Sequence, residues 1–252
     1  MNIFEQYTQR QGAMNLKDIL NFSPLTRVQQ KHLTRVYAAL LSNIILAALG
    51  VYIQQRFLPF VSPILLVGLQ LFSLWTLGSS STDAVYSGKV CTPWRAGWYG
   101  VFGLTSGMLL GDYLLFLHLI NPSILPTAFL VSVGIFASLS AAAVVSKDRK
   151  FIYLGSLLGT GLTCLASISF ISMFWRTKIG DDILLWGGLA MYIGYVLFDT
   201  QVALEMCRRG SSDFLMQAIQ FYIDLLGIFT RIAQILAEKD ERRKRRNNDD
   251  TE

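Results

Sequence analysis

A succession of apolar stretches, joined by short connections, constrains this chain more than any other feature. An α-helix needs about 20 consecutive apolar residues to cross the hydrocarbon core of a bilayer, and short connections favour antiparallel neighbours in a compact bundle. Six stretches of that length lie near residues 34–55, 58–79, 96–118, 123–146, 151–175 and 182–205, and a more polar seventh lies near 213–237. We therefore predict an all-α integral membrane protein, a compact bundle of six transmembrane helices around a central, more polar seventh helix.

Composition supports a single membrane domain with little soluble mass. Charged residues make up 15% of the chain, compared with about 25% in ordinary soluble domains. We predict a polytopic helical membrane domain over residues 33–237, an N-terminal arm at 1–32 and a basic tail at 238–252. The arm fits either a short amphipathic helix on the membrane surface or a solvated segment. The expected partner is the lipid bilayer and not a nucleic acid.

The distribution of basic residues predicts the orientation of the bundle. Basic residues follow the second, fourth and sixth stretches, namely Lys89, Arg95, Lys147, Arg149, Lys150, Arg208 and Arg209. Loops rich in Lys and Arg face the cytoplasm in most membrane proteins. We therefore predict that these loops and the N-terminus are cytoplasmic.

The basic tail conflicts with that orientation if all seven segments cross the membrane. Its basic residues are Lys239, Arg242, Arg243, Lys244, Arg245 and Arg246. The same rule predicts a cytoplasmic tail, whereas seven crossings would place it opposite the N-terminus. Either the seventh segment is re-entrant, entering the membrane and returning, or the tail departs from the rule. The tail could bind anionic lipid electrostatically or serve only as a cytoplasmic anchor.

Two carboxylates lie inside apolar segments, Asp199 late in the sixth and Asp224 in the middle of the seventh. A charge at the centre of a membrane helix costs about 3 kcal/mol on insertion scales, so such residues usually face a bundle interior and serve a function. Helical spacing places Tyr192 and Tyr195 on the face that carries Asp199. On the seventh segment, the polar residues recur every three or four positions and so form one stripe, namely Gln217, Gln220, Asp224, Arg231 and Gln234.

If these two faces meet, Asp199 and Asp224 form a pair that shares one proton and titrates as a unit. Such a pair is a proton sensor and a weak site for Ca²⁺, a hard cation that prefers oxygen ligands. In the alternative interpretation, Asp224 pairs with Arg231 one heptad away and Asp199 lies at an interface. We expect no catalytic residue and no resident cofactor.

Three stretches resemble motifs of the transmembrane Bax inhibitor motif family, and the resemblance extends over essentially the whole chain. They are Val196-Leu197-Phe198-Asp199-Thr200-Gln201, Asn121-Pro122-Ser123-Ile124-Leu125-Pro126-Thr127-Ala128-Phe129 and the opening Met1-Asn2-Ile3-Phe4. The resemblance implies a pH-sensitive Ca²⁺ leak in the endoplasmic reticulum membrane that lowers the calcium store and suppresses stress-induced cell death. It also implies a di-aspartyl proton sensor at Asp199 and Asp224. Partners implied by the family are Bcl-2-type and stress-sensor membrane proteins.

Two positions depart from the family pattern. Asp112 stands where a proline is expected, and it adds a third carboxylate if it faces the interior. Some members carry an arginine in the second span that latches the aspartate pair, but the second stretch here has no basic residue between Ile64 and Gly78. Arg231 is the candidate substitute for that latch.

Two alternatives belong to other functional classes. Leu110-Gly111-Asp112-Tyr113 resembles part of the Gly-x-Gly-Asp element of intramembrane aspartyl proteases. However, Leu109 replaces the first glycine, the order of the two aspartate elements is reversed and the Pro-Ala-Leu signature is missing, so we do not expect an enzyme. The second alternative is a non-conducting adaptor that regulates cell-death and stress-response proteins by binding them. The sequence leaves the oligomeric state of the protein open.

Overall fold

A computed structural model describes residues 26–146, 154–210 and 213–249. Within those ranges the chain forms eight helices and no strand. They are α1 (Arg27–Phe57), α2 (Pro63–Ser79), α3 (Ser81–Tyr86), α4 (Pro93–Ile120), α5 (Ile124–Val145), α6 (Leu154–Phe174), α7 (Lys178–Arg208) and α8 (Phe214–Asp249). The predicted amphipathic helix in the arm and the basic loop at 147–150 lie outside the described residues.

Polar caps extend several helices beyond the apolar stretches. At α1, Gln29 N–H donates to Thr26 Oγ1 at 3.4 Å and Thr26 N–H donates to the Gln29 side chain at 3.0 Å, which is a capping box. Thr92 caps α4 ahead of Pro93, and Thr177 caps α7. Because each cap satisfies N–H groups that the first turn leaves unpaired, the helices begin several residues before the hydrocarbon-crossing segments.

Six of the described helices, α1 and α4 to α8, are long and apolar enough to cross a membrane. The predicted all-α integral membrane fold is confirmed. The second predicted span was too long, because α2 begins at Pro63 and has 17 residues. Proline is favoured in the first turn of a helix, where its missing N–H costs nothing, so residues 58–62 form a turn before α2.

The seventh predicted segment, α8, lies at the centre of the bundle. Half of its apolar part is buried, compared with 6% for α6. It packs against α1, α4, α5 and α7. The other three helices lie mainly on the outside: α2 packs against α4, α6 packs against α7, and the short α3 contacts α2. The central helix is therefore enclosed by four neighbours rather than by the six that we predicted.

The tail and the start of α1 lie at opposite ends of the bundle. α8 is one unbroken helix of 36 residues, about 54 Å long, so the re-entrant interpretation of this segment is wrong. Near its end, Lys244 Nζ donates to the Ile120 carbonyl at 2.8 Å, whereas near its start Gln217 contacts His32 of α1. The start of α1 and the tail therefore lie at opposite faces of the bundle, which conflicts with a cytoplasmic location for both.

α1 and α4 approach each other closely enough for their backbones to touch. A Cβ atom on Gly107 would overlap the Ala47 carbonyl group, and one on Gly50 would overlap the Leu104 carbonyl group. Only glycine permits this close approach. In lipid there is no hydrophobic effect to drive helices together, so the van der Waals contacts of such close packing are a main source of helix association. The pair α1–α4 forms one wall around α8.

Candidate functional site

The structure brings the carboxyl groups of Asp199 and Asp224 together at the interface of α7 and α8. The two side chains lie within hydrogen-bonding reach of each other, with Asp224 only 4% exposed and Asp199 partly buried. Because an ionised carboxylate can only accept hydrogen bonds, a hydrogen bond between them requires a proton on one of the two. The geometry is therefore that of a close carboxyl pair between two packed helices.

One oxygen of this pair has no partner within the described residues. Asp224 Oδ2 is buried and accepts no hydrogen bond there. A buried carboxylate oxygen in hydrocarbon is costly unless it is protonated or bound to a cation. Binding of a proton or a cation at this oxygen would therefore remove the largest desolvation cost in the site.

Two tyrosines of α7 line the same interface. Tyr195 lies one helical turn before Asp199, within electrostatic range of both carboxyl groups. The ring of Tyr192 packs where Gly227 of α8 leaves room, because a Cβ atom there would overlap the ring. The predicted face of α7 therefore meets α8 over two turns.

Arg231 lies away from the carboxyl pair. Its guanidinium group packs over Gly188 of α7, within about 3 Å of where a Cβ atom would stand, and its Nε is buried without a partner among the described residues. Among the described residues, no ion pair joins Arg231 to Asp199 or Asp224. One heptad is about 10.5 Å along a helix, too far for the pairing in our alternative interpretation or for a latch.

Three other predicted residues do not join the pair. Asp112 is exposed and accepts a hydrogen bond from Gln54 Nε2 at 2.8 Å, so it adds no third carboxylate to the centre. Gln220 is exposed, although it belongs to the predicted stripe. Gln217 is buried but lies two turns from Asp224, where its Oε1 is 2.5 Å from His32 Nε2. The polar residues predicted to form one stripe on α8 therefore do not form a single site with Asp224.

Comparison with known proteins identifies the family. The family described as "Inhibitor of apoptosis-promoting Bax1" matches residues 29–241. The chain belongs to the Bax inhibitor family. Bax inhibitor 1 of Homo sapiens is 30% identical over 250 residues, 98% of this chain and 100% of the human protein.

More distant organisms carry similar relatives. Bax inhibitor 1 of Drosophila melanogaster is 29% identical over 222 residues, 85% of each chain, and that of Arabidopsis thaliana is 29% identical over 226 residues, 86% of this chain and 84% of the plant protein. Membership in the Bax inhibitor family implies a role in regulating apoptosis for this multi-pass membrane protein.

Sequence reasoning missed a buried ion pair in this Bax inhibitor chain, between Arg95 of α4 and Asp213 before α8. Their exposures are 2% and 5%, and Arg95 Nη2 bonds to Asp213 Oδ2. Arg95 donates three further hydrogen bonds, to Ser80 Oγ at 3.1 Å and to the Val90 and Leu77 carbonyls at 2.7 and 3.2 Å. In the sequence, Arg95 is evident only as a topology signal.

Asp213 also caps the central helix of this Bax inhibitor chain. Its Oδ1 accepts from the Leu215 and Met216 N–H groups at 3.1 and 3.4 Å, and its Oδ2 accepts from Ser81 Oγ at 2.8 Å. Aspartate directly before a helix is a recognisable N-cap signal, which the sequence did offer. The cluster ties the start of α8 to α3 and α4.

The basic tail continues α8 as a charged helix beyond the bundle. Lys244 pairs with Asp240 at 3.1 Å and Arg242 with Glu238 at 3.8 Å, both one helical turn apart. The side chains of Lys239, Arg243, Arg245 and Arg246 are exposed. The predicted tail residues are therefore at the surface and do not reach the carboxyl pair.

Proposed function

We propose that this protein is a pH-sensitive Ca²⁺ leak channel of the endoplasmic reticulum membrane, gated by the Asp199–Asp224 pair. By lowering store calcium it suppresses stress-induced apoptosis, and its N-terminus is cytoplasmic. The observation that carries the proposal is the close carboxyl pair between two packed helices, with one buried Asp224 oxygen unpartnered among the described residues. Leucines at these positions would stabilise an apolar bundle better, so packing alone does not account for the two carboxyl groups.

Gating follows from the charge of the pair. With one shared proton, the carboxyl groups hold α7 against α8. When that proton leaves, two carboxylates repel each other and demand hydration, and a second proton removes the charge entirely. Either change shifts the preferred packing of the central helix. In the ionised form the pair offers oxygen ligands to a passing Ca²⁺. Nothing in this sequence of events requires a catalytic step.

The test is Ca²⁺ flux into liposomes that contain only the purified full-length protein, measured over a pH series. We expect a pH-dependent leak that Asp199→Asn or Asp224→Asn makes nearly independent of pH, because an amide cannot exchange the shared proton. Asp112→Asn is the matched control, since it is exposed and its Oδ1 can still accept from Gln54. That control should retain the wild-type pH profile.

A second candidate function is a non-conducting adaptor for Bcl-2-type or stress-sensor membrane proteins. It is favoured by the exposed charged helix that α8 extends beyond the bundle. Well-folded protein that leaks no Ca²⁺ at any pH would contradict the channel proposal and leave the adaptor. A protease dyad of Asp112 and Asp199 is not favoured, since Asp112 is exposed and hydrogen-bonded to Gln54, whereas Asp199 lies beside Asp224.

A further inference from the structure

An elongated apolar groove opens between α1 and α5, away from the carboxyl pair. It has a volume of about 540 Å³ and is lined by five residues of α1, six of α5 and Leu225 of α8. This volume lies within the range of about 300–1,000 Å³ that is typical of small-molecule sites. α1 and α5 do not close the groove against each other, so its apolar lining is left uncovered by the described residues.

The polar groups in the groove are hydrogen-bonded to one another, so they need no polar partner from an occupant. The only two polar residues in the lining are Tyr37 and Ser140, whose hydroxyls are hydrogen-bonded to each other. Ser140 Oγ is also 3.1 Å from Thr200 Oγ1 of α7. No charged side chain lines the groove. An occupant that matches this surface is therefore apolar along its whole length.

The groove is open to the hydrocarbon of the bilayer. Leu41, at its edge on α1, is 59% exposed, and Val133, at its edge on α5, is 36% exposed. Both belong to helices that are long and apolar enough to cross the membrane. The occupant therefore enters from the lipid phase.

The length and depth of the groove match one leaflet. On α1 the lining runs from Leu33 to Ile44, about 16 Å at 1.5 Å per residue. On α5 it runs from Val133 to Val144, one residue before that helix ends. The groove thus starts near the interface where α1 begins and ends near mid-membrane. Half of a hydrocarbon core about 30 Å thick has the same depth.

We propose that this groove binds one acyl chain of a bilayer phospholipid from the leaflet where α1 begins. The headgroup lies at the interface beside Leu33 and Val144, and the chain descends along the apolar wall. Its inner contact is Leu225, the neighbour of Asp224 on the central helix. The bound chain therefore packs directly against the helix that carries the site, as part of the wall between α1 and α5.

The test is photolabelling of the full-length protein in lipid nanodiscs with a phosphatidylcholine that carries a diazirine in one acyl chain. Labelled residues are mapped by mass spectrometry. We expect labels concentrated on the groove-lining faces of α1 and α5, above the level on the exposed surface of α6. Labelling spread evenly over all bilayer-facing helices would overturn the proposal.

A neighbouring pair of alanines supplies matched variants. Ala141 lines the groove, whereas Ala142 is exposed beside it on the same helix without lining it. Ala141→Phe should lower groove labelling about tenfold, because the ring occupies space that the chain needs, and Ala142→Phe should leave it unchanged. If Ala141→Phe does not fold, Ala137→Phe provides the same obstruction. Full labelling in a folded, obstructed variant would also overturn the proposal.

Discussion

Replacing Asp213 by alanine is expected to lower the free energy of unfolding by about 3–5 kcal/mol. The substitution leaves the guanidinium of Arg95 buried and without its ion-pair partner, and uncompensated buried charges cost this much in proteins. It also removes the N-cap of α8, which adds about 1 kcal/mol. Unfolding in mixed detergent micelles, followed by helix content, measures the change.

Two further variants separate these contributions. Asp213→Asn retains a good cap but loses the charge, so the difference between aspartate and asparagine reports mainly the charge of the buried pair, and the difference between asparagine and alanine reports the cap with the remaining neutral hydrogen bonds. Replacing both partners, Arg95→Met with Asp213→Leu, should recover much of the stability because no unpaired charge remains. Asp83→Ala, at an exposed position of α3, is the matched control. Equal stability of Asp213→Ala and Asp83→Ala would contradict the buried pair.

Gly107→Ala is expected to destabilise the protein by about 3 kcal/mol, at the upper end of the usual overpacking cost. The new Cβ atom would overlap the backbone of Ala47, and backbone cannot rotate away as the end of a side chain can. The α1–α4 wall must therefore separate. The same unfolding assay measures the loss, and hydrogen exchange on α1 and α4 should increase with it.

Gly100→Ala is the control on the same helix. Nothing lies within 4 Å of the Cβ position at Gly100, so alanine there should raise helix stability by up to about 1 kcal/mol. Identical substitutions about two turns apart are thus expected to act in opposite directions. A Gly107→Ala variant that is as stable as Gly100→Ala would show that α1 and α4 are not in close backbone contact at Gly107.

The buried ion pair and the carboxyl pair both involve the central helix, through Asp213 at the N-cap of α8 and Asp224 within it. Asp213 anchors the start of α8 to α3 and α4, and Asp224 follows 11 residues later, about 16 Å along the axis. A central helix fixed at one end can respond to protonation only by moving its middle and its far end. The proposed gating motion is therefore directed towards the end of the bundle that carries the basic tail.

Much of the fold followed from the sequence because hydrocarbon imposes local rules. Each apolar stretch had to become a helix of near-membrane length, since a spanning chain must satisfy its own backbone hydrogen bonds. The same solvent makes Asp199 and Asp224 costly, which singled them out before any coordinates. The family could also be identified, because its motifs are contiguous in the chain.

Tertiary structure alone decided which polar residues act together. Helical periodicity placed Gln217, Gln220 and Asp224 in one stripe, but it could not say that neighbouring helices leave Gln220 uncovered. The partners Arg95 and Asp213 are 118 residues apart, and no local pattern links them. The sequence by itself determined the helices and the two central carboxylates, because those depend on solvent and local geometry. The pairing of side chains, the two peripheral helices and the end at which the tail lies depend on contacts between distant segments.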